Sequence, residues 1–465
     1  MSSGNEKGAP GPSVPPGSAA RPAQRAAGRS SIKAVRGTRD LLPDQTPLWN
    51  RVEAKARAVF ARYGFGEIRT PVIEATELFA RGVGEDTDIV SKEMFTWEDR
   101  ARAASEKAQS LTLRPESTAG VVRAYIEHKM GETGALEKLY YIGPQFRRER
   151  PQRGRYRQFW QIGAEVMGPP SSGSESPLRD AEVIEMLDSL LAELGVRGYR
   201  LELNSVGNAE DRARYNVALR EALAPVKAKL CPDNQRRAET NPLRVLDSKD
   251  EQDQEIINGL PKIADFLGPE SKEHFVQVRA ALDACGVEYH VNPRLVRGLD
   301  YYTRTTFEFT VQTGLGTQNA LLGGGRYDGL SEMLGGPKAP GIGFAIGEDR
   351  LILTLEAQAD LDSAGTGAAR ESVAKLDVYV APLGVAQNAA ALALARELRR
   401  AGLSVDVGDG TFKLRKSFEV ADRVARAIVL LGEDEAKSGV LTVKRFATGE
   451  QVKVARAELV DRLRG

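Results

Sequence analysis

The sequence predicts an α+β unit built around a β-hairpin, interrupted by a helical insertion and followed by a smaller α/β unit. Three observations support this prediction. Residues 139–167 alternate between two faces as paired strands do, residues 205–293 are charged and helix-forming with almost no strand pattern, and short β-rich and helical runs alternate after residue 374. Strands and helices that alternate in this way are typical of a parallel sheet covered by helices.

The composition excludes several classes of protein. A chain of 465 residues with a net charge of +1 offers no overall attraction for nucleic acid, so any such surface must be a local patch. Cys231 and Cys285 lie outside any CxxC pattern, which argues against a disulfide scaffold or a zinc site and fits a reducing compartment. His128, His274 and His290 show no metal-ligand spacing. No apolar run approaches the length of a membrane span, and we expect a soluble, cytoplasmic protein.

The first hundred residues predict a tail, a helix and an edge strand. Residues 1–32 are rich in Pro, Gly and Ala and predict a disordered tail rather than a targeting signal. Apolar residues at helical spacing predict a helix over 46–63, and a strand over 67–70 ends at Pro71. Proline cannot donate to a strand ladder, so this strand belongs at an edge, where a second subunit could pair. Residues 80–106 are polar and predict a mobile loop with a short hairpin.

A strand-to-helix turn follows that loop. Pro115 breaks a strand predicted over 111–114, and a helix is predicted from Thr118. Glu116 lies at this turn, with Ser117 and Thr118 as suitable caps. A carboxylate here is well placed to hold a cationic group. Alternatively, it only caps the helix, whose dipole stabilises a negative charge at this end.

The hairpin carries side chains that suit a pocket better than a core. Its strands are predicted over 139–149 and 156–167, and alternation places Arg147 and Glu149 on one face. Six residues of the second strand share a face: Arg155, Arg157, Phe159, Gln161, Gly163 and Glu165. Arginine forks match phosphate oxygens, an aromatic ring can stack on a base, and a carboxylate can accept from an amino group. The alternative is a solvated hairpin face.

The helical insertion is predicted over 205–293, after a helix over 178–194 and a strand over 199–203. Its basic side chains could meet a phosphate backbone, and a solvated face is an equally good interpretation. They are Lys227, Lys229, Arg236, Arg237 and Arg244.

Two segments after the insertion combine polar side chains with glycine. Residues 295–309 place Arg297, Asp300 and two tyrosines, Tyr301 and Tyr302, before a β-rich strand. The next segment has three consecutive glycines at a strand end, which suggests close approach of a ligand, but it lacks the GKS or GKT of a P-loop.

The remaining chain predicts a phosphate ligand, a linker and a second domain. Arg350 lies in the first turn of a helix after a small-residue strand over 341–347, and a cation there opposes the helix dipole unless an anion is bound. An Ala/Gly/Ser-rich stretch predicts a linker over 356–374. Residues 375–465 predict a compact α/β domain with a parallel sheet.

Five segments together resemble one protein family. They are RTPVIEATELF (69–79), FRRERPQRGRYRQF (146–159), LVRGLDYYTRTTFEF (295–309), GGGRYDGL (323–330) and GIGFAIGEDRLIL (341–353). From about residue 33 onwards the chain resembles the bacterial-type histidyl-tRNA synthetases, which are class II aminoacyl-tRNA synthetases. The first, second and fifth segments resemble the three class II motifs, and the other two resemble signatures of the histidine enzymes. One departure is Trp160, where relatives often carry a histidine, but alternation turns it away from the pocket.

The resemblance implies a class II synthetase fold. This fold has an α+β catalytic core around an antiparallel sheet (33–204 and 294–355), the helical insertion (205–293) and a C-terminal α/β anticodon-binding domain (375–465). The implied reaction is the ATP-dependent ligation of L-histidine to tRNA(His) through a histidyl-adenylate, with release of AMP and pyrophosphate. The resemblance further implies Mg²⁺ with the ATP, no metal held by the protein alone, and a homodimer formed through the region around Pro71.

Two other classes of function are alternatives. One is a non-catalytic, synthetase-like regulatory subunit of histidine biosynthesis, which keeps the fold but usually lacks the C-terminal domain and parts of the histidine signatures. The other is an RNA-binding or sensor module, and the intact set of ATP-facing residues argues against it.

The resemblance also implies a role for each matching residue. Histidine would be bound by Glu116, Ser117, Thr118, Arg147, Gln161, Glu165, Arg297, Tyr301, Tyr302 and Tyr327. ATP would be bound by Arg147, Glu149, Arg155, Phe159 and Arg350. The acceptor stem of the tRNA would meet Arg150 and Gln152. The catalytic side chains would be Arg147 and Arg297.

Overall fold

The computed structural model describes residues 31–84, 87–99, 108–296, 299, 301–315, 319–366 and 375–464. Within these ranges the helices are α1 (Thr46–Arg62), α2 (Thr76–Val83), α3 (Thr118–Glu127), α4 (Pro177–Glu193), α5 (Ala209–Leu223), α6 (Pro232–Thr240), α7 (Glu251–Asn258), α8 (Pro269–Cys285), α9 (Leu330–Met333), α10 (Glu348–Thr366), α11 (Asn388–Arg400), α12 (Leu414–Val424), α13 (Glu433–Ser438) and α14 (Leu459–Arg464). The strands are β1 (Gly66–Glu67), β2 (Ile73–Ala75), β3 (Phe95–Asp99), β4 (Gln109–Leu113), β5 (Glu137–Phe146), β6 (Gln158–Met167), β7 (Tyr199–Ser205), β8 (His290–Val291), β9 (Thr303–Val311), β10 (Ala320–Arg326), β11 (Gly341–Gly347), β12 (Leu376–Pro382), β13 (Val405–Val407), β14 (Ala425–Leu431), β15 (Val440–Arg445) and β16 (Gln451–Ala455).

The predicted hairpin, β5 and β6, lies inside a sheet with the strand order β1-β5-β6-β11-β10-β9-β7-β8. The long strands pair antiparallel, and the two-residue edge strands β1 and β8 pair parallel. The antiparallel core sheet is therefore confirmed. The hairpin strands are shorter than predicted, because β5 ends at Phe146 and β6 begins at Gln158. All six arginines between Phe146 and Gln158 consequently lie in the connecting loop, where strand alternation does not apply.

Helices α1, α4, α8 and α10 bury their apolar faces against the large sheet. Ile184 of α4, Val278 and Leu282 of α8 and Phe307 of β9 belong to this common core. Helix α8 was predicted as part of the insertion, but it packs on the catalytic sheet. The insertion has a separate core, formed around α5 to α7 by residues such as Tyr215.

A three-stranded sheet of order β2-β4-β3 lies beside the start of α3. Residues 80–106 were predicted as a loop with a short hairpin, and their described part has more regular structure than a loop. That part contains the end of α2, a π-helical turn over Ile89–Glu93 and strand β3, which pairs antiparallel with β4. The strand predicted over 67–70 is limited to Gly66–Glu67.

The C-terminal sheet has the order β13-β12-β14-β15-β16. Its first three strands are parallel, whereas β15 and β16 form an antiparallel hairpin at one side. The predicted parallel sheet is therefore present in β13, β12 and β14, and the antiparallel hairpin of β15 and β16 was not predicted. Helix α10 also runs to Thr366, so the linker predicted from residue 356 begins as helix, and residues 367–374 lie outside the described chain. Among the described residues, no helix has both the length and the apolar character needed to cross a bilayer.

Candidate active site

A cleft of about 520 Å³ opens over β6, β9, β10 and β11 of the large sheet. Its volume lies within the range of small-molecule binding sites. The turn before α3, the hairpin loop, the π-helical turn and the insertion contribute the remaining walls. Four of the five motif segments therefore contribute to one cavity, and the segment over 69–79 does not.

Glu116 caps helix α3 with its carboxylate at the base of the cleft. Its oxygens accept hydrogen bonds from the backbone N–H groups of Thr118 (2.7 Å) and Ala119 (3.0 Å). Ser117 makes no cap bond of its own. The side chain of Glu116 is buried, and this burial raises its pKa although the two N–H donors lower it. Glu116 thus caps the helix, as one of the two interpretations of the sequence predicted, and it also lines the cleft.

Glu165 is the most enclosed acid of the site, with no exposed surface. It accepts hydrogen bonds from the hydroxyls of Thr118 (2.7 Å), Tyr327 (2.6 Å) and Tyr141 (3.5 Å). Burial raises the pKa of Glu165 to about 8, against the lowering effect of these hydroxyls. A proton on this carboxyl at neutral pH would let it donate as well as accept a hydrogen bond.

Two glycines make room for this cluster. A Cβ atom at Gly343 would lie 1.7 Å from Oε2 of Glu165, and one at Gly163 would lie 2.4 Å from the phenol of Tyr141. Any side chain at either position would displace the groups that hold Glu165.

Tyr301, Tyr302 and Tyr327 form an aromatic wall of the cleft. The ring centroids of Tyr301 and Tyr302 are 4.8 Å apart, those of Tyr301 and Tyr327 are 5.8 Å apart, and both pairs meet edge to face. Burial raises the pKa of the Tyr301 and Tyr327 hydroxyls well above the ordinary value, so both remain protonated donors. Edge-to-face packing fixes these rings, which preforms the wall.

Gln161 lies on the same strand as Glu165, β6, and lines the cleft. Its side-chain oxygen is buried and has no hydrogen-bond donor among the residues that the structure describes. Since buried polar atoms are normally satisfied, this oxygen is suited to accept from a bound ligand.

Arginines line the other part of the cleft. Arg147 donates through Nε to the carbonyl of Pro115 (2.9 Å), and its guanidinium lies 5.2 Å from the ring centre of Phe159. Glu149 lies between two arginines, 3.0 Å from Nη1 of Arg155 and 3.8 Å from Nη1 of Arg147. An aromatic ring, a carboxylate and two guanidinium groups therefore lie close together where the loop between β5 and β6 borders the cleft.

Arg350 approaches the same place from the first turn of α10. It donates to the carbonyls of Ala320 (2.6 Å) and Gly154 (3.4 Å), which hold it across the hairpin loop. Burial, and after it the charge of Arg155, lower the pKa of Arg350. A bound anion would relieve this repulsion between like charges, which supports the predicted phosphate site.

Two predicted site residues do not line the cleft. Arg157 packs its aliphatic stem on Gly37, where an added Cβ would lie 2.9 Å from Cδ of Arg157. Its backbone N–H donates to the carbonyl of Gly37 at 2.7 Å. The alternation argument fails here because β6 begins only at Gln158. The hydroxyl of Ser117 accepts from Gln145 (2.6 Å) and also lies outside the cleft lining.

Three other predicted residues stand apart. Arg150 and Gln152 are exposed in the loop between β5 and β6, in position for a large ligand rather than for the cavity itself. Arg297 lies outside the described residues. The other predicted histidine and ATP ligands line the one cleft, except Glu165. Glu165 is fully buried directly behind the lining residues Thr118 and Tyr327, to which it is hydrogen-bonded.

Sequence reasoning missed Tyr141 and the contribution of the insertion. Alternation carried backwards from Arg147 would place Tyr141 on the pocket face, so the signal was present. Arg244, Asp247 and Lys249 line the cleft together with residues of the π-helical turn. No sequence pattern says against which surface an inserted module packs. Of the described residues, no three His, Cys, Asp or Glu side chains cluster in a way that could hold a metal ion.

Two family models match most of the chain. A model described as histidyl-tRNA synthetase matches residues 37–351, and one described as an anticodon-binding domain matches residues 377–465. The first match covers the large sheet and the insertion, and the second covers the C-terminal sheet and its helices.

Individual proteins give the same result. A histidine–tRNA ligase of Koribacter versatilis is 66% identical over 434 residues, which are 93% of this chain and 96% of the relative. A histidine–tRNA ligase of Solibacter usitatus is 52% identical over 434 residues, with 93% of this chain and 99% of the relative covered. The crystal structure of the apo histidyl-tRNA synthetase of S. aureus aligns with a TM-score of 0.74 and 36% identity over 94% of this chain and all of that one.

Proposed function

The chain belongs to the histidyl-tRNA synthetase family, and on that premise we propose that its cleft activates L-histidine with ATP and transfers it to tRNA(His). The observation that carries the proposal is the joining of two subsites in one cavity. One subsite is lined by Thr118 and Tyr327, which are hydrogen-bonded to the buried Glu165 behind them. The other is lined by Arg147, Arg155 and Arg350. This arrangement suits an amino acid with a polar side chain on one side and a polyphosphate on the other.

Glu165 and its neighbours recognise the imidazole of histidine in this proposal. An imidazole carries one nitrogen that donates and one that accepts when it is neutral. Glu165 and Gln161 offer oxygens to it, and the hydroxyl of Tyr327 fixes Glu165 in place. Glu116, Thr118, Tyr301 and Tyr302 complete the enclosure. An amino acid without an imidazole would leave these buried polar groups unsatisfied, which disfavours its binding.

ATP occupies the arginine side. Arg147 meets the α-phosphate, and Arg155 and Arg350 meet the terminal phosphates. Phe159 stacks on the adenine and Glu149 accepts from its amino group, since both line the cleft near Arg147. Glu308 also lines the cleft, and a single carboxylate next to a polyphosphate suits Mg²⁺, which binds through one or two carboxylates together with phosphate oxygens. The ion would neutralise charge on the leaving pyrophosphate.

The first reaction forms a bond between a histidine carboxylate oxygen and the α-phosphorus, while the bond from that phosphorus to the departing pyrophosphate breaks. The attacking carboxylate is already ionised, so no general base is needed. Catalysis consists of positioning and charge stabilisation, which Arg147 and Arg297 provide on the transferring group. In the second reaction the terminal ribose hydroxyl of the tRNA attacks the aminoacyl carbonyl and AMP leaves.

The tRNA contacts two separate parts of the chain in this proposal. Arg150 and Gln152 of the exposed hairpin loop meet the acceptor stem, and the C-terminal domain binds the anticodon. A homodimer forms through the region around Pro71, where the neighbouring Ile73 is 50% exposed. The protein acts in the cytoplasm.

A charging assay tests this proposal. The chain is incubated with ATP, Mg²⁺, labelled histidine and a tRNA(His) transcript, with a transcript of another specificity as control. Labelled histidine should appear on the first transcript only and should require ATP. Absence of labelled RNA while both histidine and ATP bind would favour the regulatory alternative.

A further inference from the structure

We propose that Arg326, Asp180 and His274 form a positioning network behind the sheet, which holds Tyr327 against Glu165 and thereby sets the affinity of the cleft for histidine. None of the three lines the cleft, so they act through Tyr327. The inference rests on the proposed function, in which Glu165 receives the imidazole.

Arg326 is fully buried at the end of β10, and the structure provides partners for each of its donor nitrogens. Nε donates to the two oxygens of Asp180 at 3.0 and 3.2 Å. Nη1 donates to the carbonyl of Ser174 and to Asp328, both at 2.9 Å, and Nη2 donates to the carbonyl of Ser176 at 3.3 Å. A guanidinium fork held at this many points has one orientation.

Asp180 joins this fork to helix α8. Nε2 of His274 lies 2.8 Å from Oδ2 of Asp180, and both side chains are buried. Burial alone would raise the pKa of Asp180, but Arg326 and His274 lower it to about 2. The carboxylate is therefore ionised and accepts, so Nε2 of His274 carries the proton and donates. Helices α4 and α8 and strand β10 thus meet at one carboxylate.

The network and the cleft lie on opposite faces of the same strand end. Arg326 is the last residue of β10 and bonds to Asp180 of α4, whereas Tyr327, the next residue, lines the cleft. The backbone N–H of Tyr327 donates to the carbonyl of Gly341 (2.8 Å), and its hydroxyl donates to Glu165 (2.6 Å). Fixing the Arg326 side chain therefore fixes the direction from which Tyr327 reaches Glu165.

A second ion-pair chain ties α8 to the same strand end. Arg304 pairs with Glu270 in the first turn of α8 and lies 3.7 Å from Asp328, which in turn pairs with Arg326. Arg304 has a φ of 49°, a left-handed conformation that residues other than glycine rarely adopt. Strain of this kind persists where surrounding contacts determine the backbone closely.

A buried ion pair is a poor means of adding stability alone, since desolvation offsets much of the attraction. Its geometry, however, is more specific than that of an apolar contact of equal size. Arg326 of this pair is the chain neighbour of Tyr327, which donates to Glu165. The specific geometry of the pair can therefore influence histidine binding.

Two substitutions of His274 test the inference with little risk to folding. His274→Gln keeps a donor for Asp180, whereas His274→Phe removes it. His290→Phe is the matched control, because His290 is exposed on edge strand β8 of the same sheet. Steady-state pyrophosphate exchange gives the KM for histidine and for ATP, and calorimetry gives the histidine affinity without turnover.

His274→Phe should raise the KM and the Kd for histidine by about 5-fold, the size of effect that a coupled residue outside a binding site commonly has. The KM for ATP should stay within about 2-fold, and His274→Gln and His290→Phe should both resemble the wild type. Combined with Tyr327→Phe, the His274→Phe change should add almost nothing, because both act through one contact.

Equal effects of His274→Phe on histidine and ATP, no rescue by His274→Gln, or additive effects in the double variant would each overturn the positioning role. These results are distinct from a failure of the proposed function, in which the wild type would show no exchange. Calorimetry still decides the inference in that case, since it requires binding of histidine only.

Discussion

The hydroxyl of Tyr327 and the carboxyl of Glu165 meet at 2.6 Å across the floor of the cleft, although 162 positions separate them in the chain. Strands β6 and β11 and strands β11 and β10 pair antiparallel, which brings these two residues together. The contact joins strand β6, which follows the second of the five segments, to the segment GGGRYDGL, which contains Tyr327. It is the structural basis for assigning imidazole recognition to this part of the cleft.

Tyr327→Phe should weaken histidine binding selectively. The change removes one donor to Glu165, and a hydrogen bond of this kind contributes about 1 kcal/mol, or about 5-fold in KM. The KM for ATP should not change, since ATP lies on the arginine side. Steady-state pyrophosphate exchange measures both values, and an equal rise in the two would contradict the division into subsites.

The stability of the catalytic core should fall as the pH rises from about 4.5 to about 8. The pKa of Glu165 is about 8 in the folded chain and 4.5 ordinarily, so the folded state binds more protons in this window. The stabilising contribution is complete below the ordinary pKa and is lost as the pH passes the folded value. Glu348 should also make the core less stable as the pH rises, because burial raises its pKa to about 9.

Thermal unfolding of the wild type and Glu165→Gln at pH 6 and pH 8.5 checks this expectation. The amide cannot ionise, so the variant should lose less stability than the wild type between the two pH values. It should still show the loss of stability that ionisation of Glu348 causes. Parallel losses in the two proteins would show that Glu165 is ionised throughout.

Gly343→Ala should weaken histidine binding and histidine activation. The added Cβ would lie 1.7 Å from Oε2 of Glu165, so the carboxyl or the strand must move. Overpacking of this kind typically costs about 1–3 kcal/mol of stability, and the displaced Glu165 should lower histidine affinity by about 10-fold or more. Gly347→Ala on the same strand is the matched control, because the nearest atom to its Cβ would lie 3.5 Å away. Equal activity of the two variants would contradict the packing argument.

Arg350→Gln should raise the KM for ATP by about 10- to 100-fold with little change for histidine. A charge-assisted contact to a phosphate contributes about 1.5–3 kcal/mol, and the neutral amide cannot replace it. Arg153→Gln in the exposed hairpin loop is the control, because Arg153 lies outside the cleft lining. An unchanged KM for ATP in Arg350→Gln would remove Arg350 from the phosphate site.

Local patterns predicted the elements that position the site. The strand break at Pro115, the helix from Thr118 and the hairpin each depend on a short run of residues, and all three are present. The mixed C-terminal sheet was not predicted, because a strand's own pattern does not give the direction of its neighbour. Helix α8 was assigned to the insertion for a similar reason. Its own sequence does not show whether its apolar face packs on the insertion or on the large sheet.

The candidate site shows a similar division. Glu116, Gln161 and Glu165 were placed in the pocket from turn chemistry and alternation. Glu116 and Gln161 line it, and Glu165 lies buried behind its lining, hydrogen-bonded to Thr118 and Tyr327. Arg157 was placed there by the same alternation and is absent, because the strand starts one residue later. Long-range pairs such as Asp180 with Arg326 leave no signal in a single sequence, since 146 positions separate the partners.

Whether the cleft activates histidine is decided by ATP–pyrophosphate exchange, measured without tRNA and with each of the common amino acids in turn. Exchange should occur with histidine and with no other amino acid, and Arg297→His should lose it while the fold stays intact. Exchange with a different amino acid, or none with histidine while ATP and histidine still bind, would contradict the assignment of the cleft to histidine activation.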